Sequence, residues 1–300
     1  MKILVTGASG LVGGELVPRL KAIGHQVFKL SRKKAASGDE ISWDPYEGFT
    51  SEESEKLEGI DAVIHLAGES IADGNWSDEK KKRIRDSRVL GTRTLVSALG
   101  NLDRSPRIFV CASAIGFYGS RGDEELTEES APGEGFLPDV CKEWEEEAEK
   151  ASAFGARTVL VRIGIVLSKD GGALGKMLTP FNFGLGGVIG SGKQYMSWIS
   201  IDDLVNTLIF VLNNDGIEGA VNATSPNPAT NEEFTKTLGT VLNRPTIIPV
   251  PEFGIKLLFG EMGERLVIEG ARVVPKKLKD AGFEFGFEDL KAALKHALEG

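Results

Sequence analysis

Three glycines, Gly7, Gly10 and Gly13, stand in the run Thr6-Gly7-Ala8-Ser9-Gly10-Leu11-Val12-Gly13, directly behind the apolar opening Ile3-Leu4-Val5. Glycine permits a tight turn and a close backbone approach to a diphosphate, and the start of the next helix aims unpaired N–H groups at the anion. The spacing assigns Gly7, Ser9, Gly10, Leu11, Val12 and Gly13 to a dinucleotide-binding turn. A second cluster, Ser31-Arg32-Lys33-Lys34, falls where the next strand should end. An acid there would accept from a ribose 2′-hydroxyl, whereas a guanidinium fork suits a 2′-phosphate. Ser31 and Arg32 therefore point to NADP rather than NAD.

These residues need a scaffold to position them. Short β-branched runs at 2–6, 26–31, 62–66, 107–112, 157–163 and 220–223, with a weaker one near 41–43, alternate with helix-patterned segments. Val12, Leu16 and Leu20 recur at helical spacing, although Pro18 removes one backbone donor from that helix. Right-handed βαβ units imply a parallel sheet with helices on both faces, an α/β Rossmann doubly wound fold. Beyond 225 the pattern changes: Asn231 opens a helix, Pro245, Pro249 and Pro251 interrupt the chain, and a final amphipathic helix occupies 288–298. The expected organisation is a dinucleotide-binding unit of residues 1–170 with 196–224, and a smaller substrate-side α/β domain of 171–195 and 225–300. The charged run Ser77 to Arg88 reads mainly as the solvated face of a helix. Glycine-rich residues 171–192 read as a flap over the cleft.

The chain has 300 residues, with 44 Asp+Glu against 35 Lys+Arg and a formal net charge of -9. That sign disfavours nucleic acid or an anionic membrane surface as a general partner, leaving a small-molecule substrate or another protein. Two cysteines, Cys111 and Cys141, and three histidines are too few and too scattered for a disulfide framework or metal cluster. They fit a reducing cytoplasm. The apolar runs are too short for a signal peptide or membrane span.

Further phrases resemble the extended short-chain dehydrogenase/reductase family, the NAD(P)-dependent epimerase/dehydratases, from residue 1 to 298. Asp61 to Gly68 is similar to the family's fourth strand, which implies that Leu66, Ala67 and Gly68 border the adenine ribose. Gly91-Thr92, Ser113, Tyr118-Gly119, Arg162 to Val166 and Trp198 to Leu204 also match. Val166 is then directed toward the nicotinamide, and Gln194 and Trp198 become candidates for lining a substrate pocket. Gly68-Glu69-Ser70-Ile71, Ser87-Arg88, Gly186-Gly187 with Ile189 to Gly192, and Pro275 to Phe283 resemble an atypical subgroup of epimerase family proteins.

The resemblance implies a Tyr-x-x-x-Lys pair for proton transfer, and here the chain departs from it. Aligning Lys142 with the lysine leaves Pro138 at the tyrosine position, with no side-chain proton to give. Arg88 replaces the family's asparagine; permanently charged, it would clamp the cofactor's phosphates or an anionic substrate. Two replacements for the tyrosine stand open: Tyr118, five residues after Ser113, and Glu69, whose carboxyl would act as acid or base if desolvation raised its pKa. Cys141 reads as a helix residue, and Ser113 has no base in sequence to activate it; the resemblance implies that Lys142 holds the nicotinamide ribose and, with Ser113, positions the reactants. An NADP-dependent oxidoreductase or epimerase and a non-catalytic NADPH-binding protein both remain open.

Overall fold

A computed structural model describes residues 1–299. Seven parallel strands form the central sheet: β1 (Lys2–Thr6), β2 (Gln26–Ser31), β3 (Glu40–Ser42), β4 (Ala62–His65), β5 (Ile108–Ala114), β6 (Arg157–Ile163) and β7 (Gly219–Ala223). Their spatial order is β7-β6-β5-β4-β1-β2-β3, so the direction of winding reverses beside β1. Ligands of open α/β sheets bind at such a reversal, at the carboxyl ends of the strands. Register is consistent across the centre, with Ile3 opposite both Val27 and Ala62.

Helix α1 (Leu11–Ala22) carries Leu16 and Leu20 inward and contains Pro18. It shares one face of the sheet with α5 (Ile201–Asn213), where Leu204, Leu208 and Val211 join Ile3, Val5 and Val161 in one core. The other face is covered by α2 (Asp78–Gly100) and α3 (Phe136–Glu149), whose Leu95, Leu99, Trp144 and Ala148 pack on Leu4, Val63 and Phe109. Both faces of the sheet are thus dry, which explains the almost uninterrupted apolar strands.

A third cluster lies off the sheet. Helices α4 (Gly172–Asn182), α6 (Asn231–Leu242) and α8 (Leu290–Glu299) bring Leu174, Phe234, Leu238 and Leu294 around Trp198. Between α6 and α8 lies α7 (Glu252–Gly263), interrupted where Gly260 takes φ +55°. Two-residue strands Glu125–Leu126 and Arg272–Val273 pair in parallel and tie the segment after β5 to the C-terminal region. The first half of the expected glycine-rich flap is helix α4, because Leu174 and Phe181 find an apolar core to enter. Nor is the charged run 77–88 only a solvated face: Lys80 and Asp86 are buried within it.

Candidate cofactor site

The glycine turn joins β1 to α1. Gly7 has φ +66°, and a Cβ there would stand 2.9 Å from the carbonyl carbon and oxygen of Leu66. A Cβ on Gly13 would collide with the Gly7 carbonyl oxygen and Ala8 Cα. Gly10 donates its N–H to Gly7 O at 2.9 Å. It caps α1 without a side-chain hydrogen bond, and no acid lies in the first helical turn. The leading N–H groups and the positive end of the helix dipole therefore lack a protein anion, leaving an anion cradle.

The neighbouring turn is held by Thr6. Its Oγ1 accepts from Leu66 N and Ala67 N, each at 3.0 Å, and lies 2.7 Å from His65 Nδ1. The hydroxyl's one proton must then go to Nδ1, so Nε2 carries the ring proton and donates to Thr92 Oγ1 at 3.0 Å. Burial holds the His65 pKa down at about 4, keeping the ring neutral. Thus Gly7, Leu66, Ala67 and Gly68 form one wall. Val12, Leu66 and Val166 all pack on the core behind it.

At the end of β2, Ser31 Oγ accepts from Lys33 N at 3.1 Å, and Arg32, Lys33 and Lys34 are exposed. The three cations line a cleft of about 490 Å³ with Ser42, Trp43 and Phe49. Trp43 and Phe49 stack with ring centroids 5.9 Å apart. The cleft also contains Asp44, Glu47 and Glu53. The contribution of β3 to this cleft was missed at the sequence level. The aromatic residue just behind the weak strand Ile41-Ser42 was its one signal.

Glu69 departs from expectation. Its Oε1 accepts from Lys80 Nζ at 2.7 Å, and this hydrogen bond outweighs burial and holds the carboxyl below its ordinary pKa. Glu69 is therefore an ion-paired carboxylate, not a desolvated acid. Arg88 lies between the β4 turn and α3, its Cζ 5.2 Å from the Trp144 ring centroid. Nη1 donates to Glu69 O at 2.9 Å and Ile84 O at 3.1 Å. A Cβ on Gly68 would stand 3.1 Å from Cζ. Among the described residues no carboxylate forms an ion pair with Arg88, so burial, which lowers its pKa, is not offset by a bound acid.

The largest corrections lie at the end of β5. Lys142 is exposed, with Asp139, Glu146 and Glu149, and forms no ion pair among the described residues. The four-spaced pair facing the turn after β5 is Leu137 and Cys141: a Cβ on Gly116 would lie 3.5 Å from Leu137 Cβ and 3.8 Å from Cys141 Sγ. One residue of helix is a rotation of about 100°, enough to turn Lys142 away. Burial pushes the Cys141 thiol up to about 12, so it is not a ready nucleophile.

Ser113 and Tyr118 belong to a buried structural network. Ser113 donates to Glu145 Oε1 at 2.6 Å. Arg162 grips Glu145 in bidentate fashion, Nε to Oε1 at 2.9 Å and Nη2 to Oε2 at 2.7 Å. Its Nη1 donates to Tyr118 O–H at 2.9 Å, and that hydroxyl donates to Asn222 Oδ1 at 2.7 Å. Burial works against the Arg162 charge, but Glu145 outweighs it and raises the pKa. Tyr118 is fully buried, and burial raises its pKa despite Arg162. Glu145 was not singled out from sequence, and Arg162 only as the start of a phrase matching the family, with no role. An arginine inside the apolar run Val159-Leu160-Val161-Arg162-Ile163 was the signal, since such a charge requires a buried partner.

On the substrate side, Trp198 is wholly buried in the third core, with Nε1 donating to Asn227 O at 3.1 Å, and does not line a pocket. Gln194 binds Ile189 O through Nε2 at 3.1 Å and borders a smaller cleft of about 310 Å³ beside Ser120, Asp123 and Lys193. Lys176 of α4 ties to Ala72 O and to Asp73 Oδ1, the latter at 2.8 Å, so α4 is fastened to the loop after β4. Trp76 in that loop meets Phe136 edge-on, 5.1 Å between centroids.

Known proteins match the chain in sequence and in fold. The sequence model of the NAD dependent epimerase/dehydratase family matches residues 3–223. The chain belongs to this family. A domain of unknown function, DUF1731, matches residues 250–297. An epimerase family protein SDR39U1 homolog of Arabidopsis thaliana, described as chloroplastic, is 41% identical over 305 residues, covering 100% of this chain and 87% of its own. The epimerase family protein Mb2239 of Mycobacterium bovis is 39% identical over 98% of this chain and 97% of its own. The crystal structure of human epimerase family protein SDR39U1 with NADPH has a TM-score of 0.88 and 34% identity, with 100% of both chains covered. A structure described as a nucleoside-diphosphate sugar epimerase from Corynebacterium glutamicum has a TM-score of 0.82 and 35% identity, covering 99% of this chain and 58% of that one. The family's cofactors are of the NAD(P) type, and the cradle fits such a dinucleotide: a Cβ would fill the space at Gly7 and Gly13, and the N-terminus of α1 lacks an anion. Among the described residues no helix is long and apolar enough to cross a membrane.

Proposed function

We propose that the chain binds NADP(H) and acts as an atypical oxidoreductase or epimerase on a small carbonyl or hydroxyl compound, nucleotide-linked sugars included, in a reducing cytoplasm. The uncapped glycine turn, with the Arg32 cleft beside it, carries this reading. Backbone N–H groups of the Ser9 to Val12 segment would hold the diphosphate, while Arg32 and Ser31 would take the 2′-phosphate. Leu66, Ala67, Gly68 and Val166 would wall the cofactor, and the unneutralised Arg88 would meet an anionic or hydroxyl group beyond Gly68. NADPH bound to human SDR39U1 supports the choice of cofactor. The bound cofactor would supply hydride exchange at nicotinamide C4. Leu137 and Cys141 would exclude water beside it without delivering a proton.

That last feature favours a second reading, an NADPH-binding protein that reports cofactor state to a protein partner. Calorimetry is expected to give tighter binding of NADPH than NADH; equal or absent binding of both overturns the cofactor assignment. A panel of carbonyl and sugar-nucleotide compounds then separates the readings. Sustained NADPH oxidation, or epimerisation of a panel compound with no net change in the cofactor, supports the enzyme. A silent panel with NADPH bound, and protein capture that changes with NADPH, supports the sensor.

A further inference from the structure

Arg88 is a cation held in place without an acid. Nη1 donates to two main-chain carbonyls, Glu69 O at 2.9 Å and Ile84 O at 3.1 Å, and so uses both of its protons. Those bonds fix the guanidinium plane and leave its charge standing. Nε and Nη2 carry three more protons and have no hydrogen-bond partner among the described residues. A Cβ on Gly68 would stand 3.1 Å from Cζ, 3.2 Å from Nη2 and 3.4 Å from Nη1. With Cζ the nearest of the three, that point lies over the face of the guanidinium, so the Gly68 wall covers the face and not the Nε–Nη2 edge. On the α3 side, burial pushes the Cys141 thiol up, and the Arg88 charge is close enough to pull it the other way. Arg88 thus stands between the Gly68 wall and the surface made by Leu137 and Cys141.

The neighbouring cations are committed elsewhere. Lys80 pairs with Glu69 at 2.7 Å and Arg83 with Glu79 at 2.7 Å, while Arg85 pairs with Glu143 and Lys142 is exposed. One free positive charge neutralises one negative charge. A carboxylate carries one, and its two oxygens match the parallel N–H groups of Nε and Nη2. A phosphate dianion would need a second cation or a cluster of main-chain N–H groups such as the glycine turn supplies. A neutral carbonyl compound or an unoxidised sugar would leave the guanidinium unpaired as the cleft closed over it.

Resting on the NADP(H) reading above, we infer that the small compound taken by this cleft is an organic carboxylate, gripped in bidentate fashion by Nε and Nη2 of Arg88. Saturation-transfer NMR on the full chain, with and without NADPH, is expected to show binding of acetate and oxamate, with neutral acetamide silent. Arg88→Met is expected to weaken oxamate binding about ten- to hundredfold while NADPH affinity changes by less than about threefold. Arg88→Lys keeps the charge and loses the fork, so it should restore only part of the binding, and it carries the test if the methionine variant does not fold. Oxamate affinity equal in the wild type and both variants overturns the inference, as does no carboxylate binding at about 50 mM. Inorganic phosphate bound more tightly than oxamate overturns the class of ligand. A loss of NADPH affinity beyond about tenfold in Arg88→Met gives the guanidinium to the cofactor and also overturns it. Oxamate held through Arg88 by a chain that binds no NADPH overturns the cofactor reading and leaves the carboxylate site standing.

Discussion

The turn after β1 and the turn after β5 lie at the same edge of the sheet, yet they are built on different principles. The first depends on missing side chains: Gly7 and Gly13 leave space that a Cβ would fill, and α1 begins with no side-chain cap and no acid in its first turn. The second depends on which side chains are present, and those are Leu137, Cys141 and a closed polar network around Glu145. A backbone cradle survives changes of residue type around it, whereas proton transfer disappears with one residue. The first turn keeps the glycine spacing expected of a dinucleotide cradle, whereas the second is lined by Leu137 and Cys141.

The comparison breaks most readily at Glu145. Glu145→Ala leaves the Arg162 guanidinium buried without its acid, and about 3–5 kcal/mol of stability should be lost. Chemical denaturation measures this, and a change below about 1 kcal/mol would show that the network is not structural. His65 tests the other turn. Its folded pKa of about 4 lies below the unfolded value near 6.5, so the unfolded state binds the extra proton between them. Its contribution is complete above pH 6.5 and declines as pH falls toward 4, by roughly 3 kcal/mol in all. His65→Gln should flatten that part of the stability profile; an unchanged profile rejects the assignment.

Arg32→Ala should weaken NADPH binding roughly ten- to hundredfold while leaving NADH binding nearly unchanged, the size expected for a charged hydrogen bond. Equal losses for both cofactors would move the 2′-phosphate elsewhere. Tyr118→Phe has the smallest effect, about 1 kcal/mol of stability for one hydroxyl. NADPH affinity should be preserved, and abolition of turnover by this variant would return Tyr118 to catalysis.

The strands at 2–6 and 157–163 are legible residue for residue, since apolar β-branched runs mark strands buried on both faces. Trp198 was misread because a tryptophan beside a Ser200-capped helix start looks the same whether it lines a pocket or fills a core. Lys80 was assigned to solvent because its burial against Glu69 joins α2 to the loop after β4, which no local pattern encodes.

Sequence alone determined the glycine turn and the wound sheet around it, because the freedom of glycine and the period of apolar residues are properties of the residues themselves. Tertiary structure decided the state of the ionisable groups. Glu69 became an ion-paired carboxylate, Tyr118 a buried strut and Lys142 a surface cation, since charge, exposure and helical phase depend on what each side chain meets after folding.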